Sequence, residues 1–177
     1  MRKHEPLRPI RGLGLLLLLS ASTLPLAACL YKFSGGGLPS SIRTVAVLPF
    51  DNLTPEPVLT QEITQAVREA VERRLGLRQA GEDQADALVT GTVRRYEPDL
   101  PVAYTGNPAD NRTEVTKRMV QITLDVKIMD QKENKVLWQK LSLTVQGEYN
   151  PNEELKGRRI ALEKLITDIV DGAQSQW

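Results

Sequence analysis

A strict alternation of apolar and polar residues between positions 120 and 128 is the strongest pattern in the chain. Its apolar members are Val120, Ile122, Leu124, Val126 and Ile128. A period of two places all of them on one face, so the pattern predicts a half-buried β-strand. A polar turn over residues 130–135 follows, and residues 136–147 are predicted to form the returning strand of a hairpin.

Two other segments have the helical period. In residues 58–75 the apolar side chains recur at i, i+3, i+4 and i+7, which predicts an amphipathic helix, and residues 152–172 show the same pattern. Short apolar runs at 44–50 and 87–96 predict two further strands. Residues 97–116 contain prolines, glycines, Asp and Asn, and are predicted to form a long loop.

The resulting order, β-α-β-β-β-α, predicts an α+β fold. We expect a two-layer sandwich in which two helices cover one face of a mixed four-stranded sheet. The uncovered face then meets water or a partner, and both a solvated face and a docking face for a polar surface, such as the lumen of an outer-membrane barrel, fit the pattern. The partner-interface candidates predicted to lie on it are Met119, Gln121, Trp138 and Lys140.

Residues 1–28 have the pattern of a secretory signal peptide. A basic start is followed by a leucine-rich run at 13–19 and by small residues. The sequence Leu-Ala-Ala-Cys ending at Cys29 resembles the bacterial lipobox, which implies cleavage before Cys29 and acylation of its thiol; a plain signal peptide is the alternative. Residues 29–41 are predicted to be a lipid anchor and flexible tether, and 42–177 a single domain. Leu30 at the next position implies delivery to the outer membrane, facing the periplasm.

Composition limits the chemistry of the domain. The chain has 23 Lys and Arg residues and 22 Asp and Glu residues, and residues 1–28 contain four of the basic residues and one of the acidic residues. The remaining chain therefore has a net charge of −2, which argues against nucleic acid as a partner. The single His4 lies in the signal peptide, and the single Cys29 is assigned to the lipid. We therefore expect no enzyme, no cofactor and no metal site. Catalysis by carboxylates alone stays open as an alternative.

Several ordered segments resemble one family. They are Cys-Leu-Tyr-Lys-Phe at 29–33, Thr-Val-Ala-Val-Leu-Pro-Phe-Asp-Asn-Leu-Thr at 44–54, the helix that begins Leu-Thr-Gln-Glu at 59–62, the hairpin at 130–138 and the closing helix at 161–170. In order and spacing they are similar to the lipopolysaccharide-assembly lipoproteins, the LptE family. The resemblance implies a plug and assembly partner of the outer-membrane barrel LptD, which helps to deliver lipopolysaccharide to the outer leaflet.

The resemblance also implies binding of lipopolysaccharide, whose lipid A phosphates are anionic. Arginine forms charge-assisted hydrogen bonds to phosphate, so basic residues at the predicted loop–strand junction and on the preceding strand are the candidates, although solvated surface charge is the simpler interpretation for each one. They are Arg112, Lys117, Arg118, Arg94 and Arg95. The segment at 45–52 also occurs in other periplasmic lipoproteins. A regulator of a cell-wall synthase or of a secretion pore is therefore the alternative function.

Overall fold

The computed structural model describes residues 38–107 and 112–175. Predictions about the signal peptide, about acylation of Cys29 and about most of the tether lie outside the described residues, and so does the side chain of Arg112. In chain order the elements are β1 (Thr44–Val47), β2 (Asp51–Asn52), α1 (Val58–Arg73), β3 (Arg78–Gln79), β4 (Ala87–Asn107), β5 (Arg112–Asp130), β6 (Lys135–Tyr149) and α2 (Glu154–Ser175).

The strands form one mixed sheet in the order β3-β1-β4-β5-β6, with β2 beside β4. The pairings of β1 with β3 and β4, and of β2 with β4, are parallel, whereas β4, β5 and β6 are antiparallel. The predicted α+β class is confirmed. The sheet has six strands rather than four because β2 and β3 contain two residues each, too few to show a period.

The hydrophobic core lies between the sheet and the two helices. Its fully buried members include Leu59 and Ile63 of α1, Leu165 and Ile169 of α2, and the apolar alternation of β5. Burial of one such side chain contributes about 1.5–3 kcal/mol. After α1, Gly76 adopts φ 68, a left-handed conformation that favours glycine, and the chain turns there toward β3.

The predicted loop at 97–116 is wrong. β4 continues to Asn107 and β5 begins at Arg112, so most of this segment is a long antiparallel hairpin. The register slips at four points along the β4–β5 ladder, and Pro98 lies at one of them, where its missing N–H is tolerated. Residues 100–107 and 112–117, here called the arm, have no fully buried side chain among those described, so no apolar alternation marked them as strands.

Candidate functional site

The sheet face opposite the helices, here called the open face, is built around β5. Between Lys117 and Asp130, each shift in strand register comes from an extra residue in β4 or β6 and none from β5. The side chains of β5 therefore alternate between the two faces of the sheet without interruption. Its side chains on the open face are Lys117, Met119, Gln121, Thr123, Asp125, Lys127 and Met129. The prediction that Met119 and Gln121 lie on this face is confirmed.

A ladder of side-chain hydrogen bonds crosses the open face. The amide of Gln146 on β6 donates to Gln121 Oε1 at 2.7 Å, and Gln121 Nε2 donates to Glu97 Oε2 on β4 at 3.0 Å. The hydroxyls of Thr123 and Thr144 lie 3.0 Å apart, with either as donor. These polar groups therefore satisfy one another and tie three strands into one surface.

Asp125 adds a second carboxylate, after that of Glu97, to the polar side chains of the open face. Arg94 donates to Asp125 Oδ2 from Nε at 2.8 Å, and the N–H of Ser142 donates to Asp125 Oδ1 at 2.8 Å. Ser142 has φ 51 and lies where β6 carries an extra residue. The Ser142 N–H and the Arg94 guanidinium lower the pKa of Asp125, so the carboxylate is ionised at neutral pH.

One end of the open face is covered. Ala46, Ala85 and Leu88 are buried there in a second, smaller cluster, with Leu48, Ala80 and Met129 packed against it. The segment that includes the short 3-10 turn Glu82–Gln84 supplies Ala85. The accessible part of the open face thus runs from Lys127 toward the arm.

The predicted position of Trp138 on the open face is wrong. Trp138 pairs with Ile128, faces the helices and is 8% exposed. It fills the space beside Gly172 of α2, where an added Cβ would lie 2.3 Å from the indole Nε1. Leu137 is an extra residue in β6, between the pairs Ile128–Trp138 and Met129–Val136. It shifts the alternation of side chains by one position, so Trp138 points to the opposite face from the one predicted.

Lys140 is displaced from its predicted face for the same reason. It pairs with the core residue Val126 and lies beside Asp168 and Asp171 of α2 along a shallow depression, on the helix side of the sheet. A second irregularity near Leu141 restores the predicted phase, since Leu143 and Val145 face the core while Leu141 is 63% exposed. The two shifts could not be read from the apolar pattern.

The predicted basic group is not brought together. Arg94 is paired with Asp125 at 2.5 Å, and Arg118 is paired with Asp99. Arg118 opposes Tyr149 and faces the helix side, whereas its neighbour Lys117 is exposed on the open face.

Arg95 is also exposed, opposite Thr123 on β5. Thr123 and Lys117 are six residues apart on one strand, so Arg95 and Lys117 are separated by about 20 Å along the sheet. Both are open to an anionic ligand, but one phosphate cannot contact both.

Asp86 was not predicted as an important residue. It precedes β4 and is 9% exposed. Its Oδ2 accepts from the N–H groups of Arg43 and Thr44 at 3.0 Å each, and Lys132 Nζ donates to Oδ1 at 2.5 Å. Lys132 and these donors hold the pKa of Asp86 well below its usual range. An acid directly before an apolar strand is the signal that could have pointed to it.

Within residues 38–107 and 112–175, no group of three His, Cys, Asp or Glu side chains is placed to hold a metal ion. No helix in those same ranges is long and apolar enough to span a bilayer.

The chain is similar to known proteins at the level of family and of fold. The LptE family model, described as lipopolysaccharide-assembly, matches residues 42–175. Among solved structures, the PelC dodecamer from Paraburkholderia phytofirmans is similar with a TM-score of 0.52 and 14% identity, over 79% of this chain and 95% of that chain. No curated protein sequence matches.

Two lipoprotein structures are more distant. One from Neisseria meningitidis has a TM-score of 0.43 and 15% identity over 72% of this chain and 95% of that chain. A minor lipoprotein from Acinetobacter baumannii has a TM-score of 0.43 and 14% identity over 77% and 94%. The similarity to the PelC dodecamer, at 14% identity, shows the fold alone.

Proposed function

Because the chain belongs to the lipopolysaccharide-assembly family LptE, we propose that it is an outer-membrane lipoprotein that plugs and helps to assemble an LptD-type β-barrel. In this role it binds lipopolysaccharide and assists its delivery to the outer leaflet. Acyl chains on Cys29 hold it to the membrane, facing the periplasm. The match of the family model to nearly the whole folded domain is the observation that carries this proposal.

The open face supports docking against a polar surface. Its ladder from Gln146 through Gln121 to Glu97 leaves the side chains paired with one another before any partner arrives. The lumen of an outer-membrane barrel is polar and hydrated, so such a face can meet it through water without leaving buried groups unpaired. Met119, Gln121 and Thr123 are the residues we assign to this contact.

The proposed lipopolysaccharide contacts are Arg95, Lys117 and Arg112. Arg95 and Lys117 are exposed, and Lys117 lies at the base of the arm. An arginine that already holds a carboxylate, as Arg94 and Arg118 do, would have to exchange it for a phosphate. Those two arginines are therefore the weaker candidates.

Co-purification tests the barrel partnership. The full-length chain, tagged at its C-terminus, is expressed in a host that contains the lipopolysaccharide translocon and is purified from detergent-solubilised membranes. We expect the barrel in about equal amount. Recovery of a cell-wall synthase or of a secretion-pore protein, and no barrel, would instead support the alternative function.

A matched pair of variants assigns the surface. Thr123→Arg adds a long cation to the half-buried centre of the open face, whereas Gln61→Arg adds the same group to the exposed surface of α1. We expect Thr123→Arg to reduce barrel recovery at least tenfold and Gln61→Arg to leave it unchanged, with similar unfolding temperatures. Equal recovery would remove the open face from the proposal.

Charge reversal tests the ligand contacts. The double variant Arg112→Glu and Lys117→Glu should weaken lipopolysaccharide binding in a salt-dependent way while barrel recovery stays intact. Arg78→Glu combined with Lys164→Glu, at exposed positions of β3 and α2, makes the same change in net charge and is the control. Binding that falls equally in both would show a general charge effect and would contradict these sites.

A further inference from the structure

The arm leaves the sheet at a bulge in β4. Between the pairs Glu97–Gln121 and Leu100–Met119, β4 advances three residues while β5 advances two. Pro98 and Asp99 lie in this step, and Pro98 has no N–H to donate to the ladder. A bulge bends the strand that contains it, so the bulge at Pro98 and Asp99 sets the direction in which the arm leaves the sheet.

Two side chains from outside β4 hold this bulge. The hydroxyl of Tyr149, the last residue of β6, lies 2.6 Å from the carbonyl oxygen of Pro98 and 3.1 Å from Asp99 Oδ1. Arg118 of β5 donates to the same Asp99 oxygen and forms an ion pair with it. The two bulge residues are therefore tied to β5, the strand next to β4, and to β6, the strand beyond β5.

Tyr149 is itself rigidly placed. It is 4% exposed, and its ring lies against Gly157 of α2, where an added Cβ would lie 2.5 Å from Tyr149 Cδ1. Burial and the hydrogen bond to Asp99 raise the pKa of Tyr149, so the hydroxyl stays protonated and remains a donor. The restraint on the bulge is thus anchored in the contact between β6 and α2.

The arm has few other ties to the domain. The last β5–β6 pair is Arg118 with Tyr149, and β2 pairs with β4 no further than Val93. In the described part of the chain the arm is therefore a two-stranded ribbon, which has marginal stability alone.

We propose that Tyr149 and Arg118 act as positioning residues that fix the direction of the arm by holding the Pro98–Asp99 bulge. This assigns Arg118 to the fold of the arm rather than to a ligand. Its consequence for barrel insertion rests on the proposed function, because an arm held in one direction enters a partner without first being ordered. The restraint itself is a property of the isolated chain.

Hydrogen–deuterium exchange of the full-length chain in detergent tests the restraint. Tyr149→Phe keeps the ring against Gly157 and removes the hydroxyl, so amides at 100–107 and 112–117 should exchange about tenfold faster, as expected for loss of one strong hydrogen bond. Amides at 120–128 should change much less. Arg118→Gln should act in the same direction, and Arg118→Lys, which keeps the charge, should restore part of the protection.

Tyr96→Phe is the matched control. It removes another half-buried hydroxyl from the same sheet, one that donates to Glu154 Oε1 at 2.8 Å, but it lies before the bulge. We expect arm exchange in this variant to match the parent chain. The proposal is overturned if Tyr149→Phe leaves arm exchange unchanged, or if it accelerates exchange equally throughout the sheet.

Barrel co-purification of the same variants separates the two proposals. Faster arm exchange together with reduced barrel recovery supports both. If the arm exchanges faster in Tyr149→Phe but the parent chain recovers no barrel, the restraint on the arm is supported and the proposed function is contradicted.

Discussion

Strand β4 passes through two regions that are stabilised differently. Residues 87–93 have β5 on one side and β1 or β2 on the other, and alternate side chains such as Val89 and Val93 are fully buried under the helices. Among the described residues, only β5 pairs with residues 100–107, and Tyr104 is 58% exposed. The first region belongs to the helix-covered part of the sheet, which together with the two helices is here called the body, and the body depends on apolar burial. The arm depends on polar contacts at its base.

This difference decides how each region responds to change. Apolar burial in the body is spread over many side chains from several elements. Disrupting it should therefore lower the free energy of unfolding of the whole domain by a large amount. Removing one contact at the arm base should loosen the arm and leave the body folded.

Removal of a large side chain should separate the two regions most strongly. Trp138→Ala empties the space beside Gly172 in the body and should lower the free energy of unfolding by about 4 kcal/mol. Tyr104→Ala removes an aromatic ring from the arm and should change it by less than about 0.5 kcal/mol. Urea denaturation followed by circular dichroism measures both. Similar losses would show that the arm contributes to the cooperative core.

A glycine in the body gives a smaller effect. Gly91 faces the ring of Phe50, and an added Cβ would lie 2.2 Å from Phe50 Cε1 and 2.7 Å from the carbonyl oxygen of Asp125. Gly91→Ala should therefore destabilise the protein by about 3 kcal/mol through overpacking. The control is Gly81→Ala, where nothing lies within 4 Å. That change should alter stability by less than about 1 kcal/mol, and a matching loss in both would contradict the close packing at Phe50.

The smallest predicted effect concerns the contacts of Asp86 with Lys132 and with the N–H groups of Arg43 and Thr44, here called the polar clamp. Asp86→Asn keeps the shape but removes the charge that Lys132 and two backbone N–H groups stabilise, and should cost about 2 kcal/mol at pH 7. The folded-state pKa of Asp86 lies below the unfolded value of about 3.9, so its contribution is present above that pH and is lost as the pH falls further.

Denaturation midpoints measured at several pH values check the sign. The parent chain should lose stability between about pH 5 and pH 2 more steeply than Asp86→Asn. Asp83→Asn, three residues earlier and exposed, is the control and should follow the parent curve. Parallel curves for the parent and Asp86→Asn would show that the clamp carries no pH-dependent stability.

The accuracy of the sequence predictions followed the same division between body and arm. The alternation in β5 and the helical pattern of α1 were predicted because one face of each is buried in the core. The arm was predicted as a loop because burial does not constrain the residue types on either of its faces. Trp138 was assigned to the wrong face because a single extra residue, Leu137, shifts the phase of β6.

The sequence by itself determined the α+β class, the main strands and helices, and the absence of His and Cys chemistry from residues 30–177. These depend on residue type and on local periodicity. The tertiary structure alone decided where β4 and β6 bulge, which arginines hold carboxylates, and that Tyr149 reaches the base of the arm. Those features depend on how neighbouring strands are aligned, and a residue's own neighbours in sequence carry little information about that alignment.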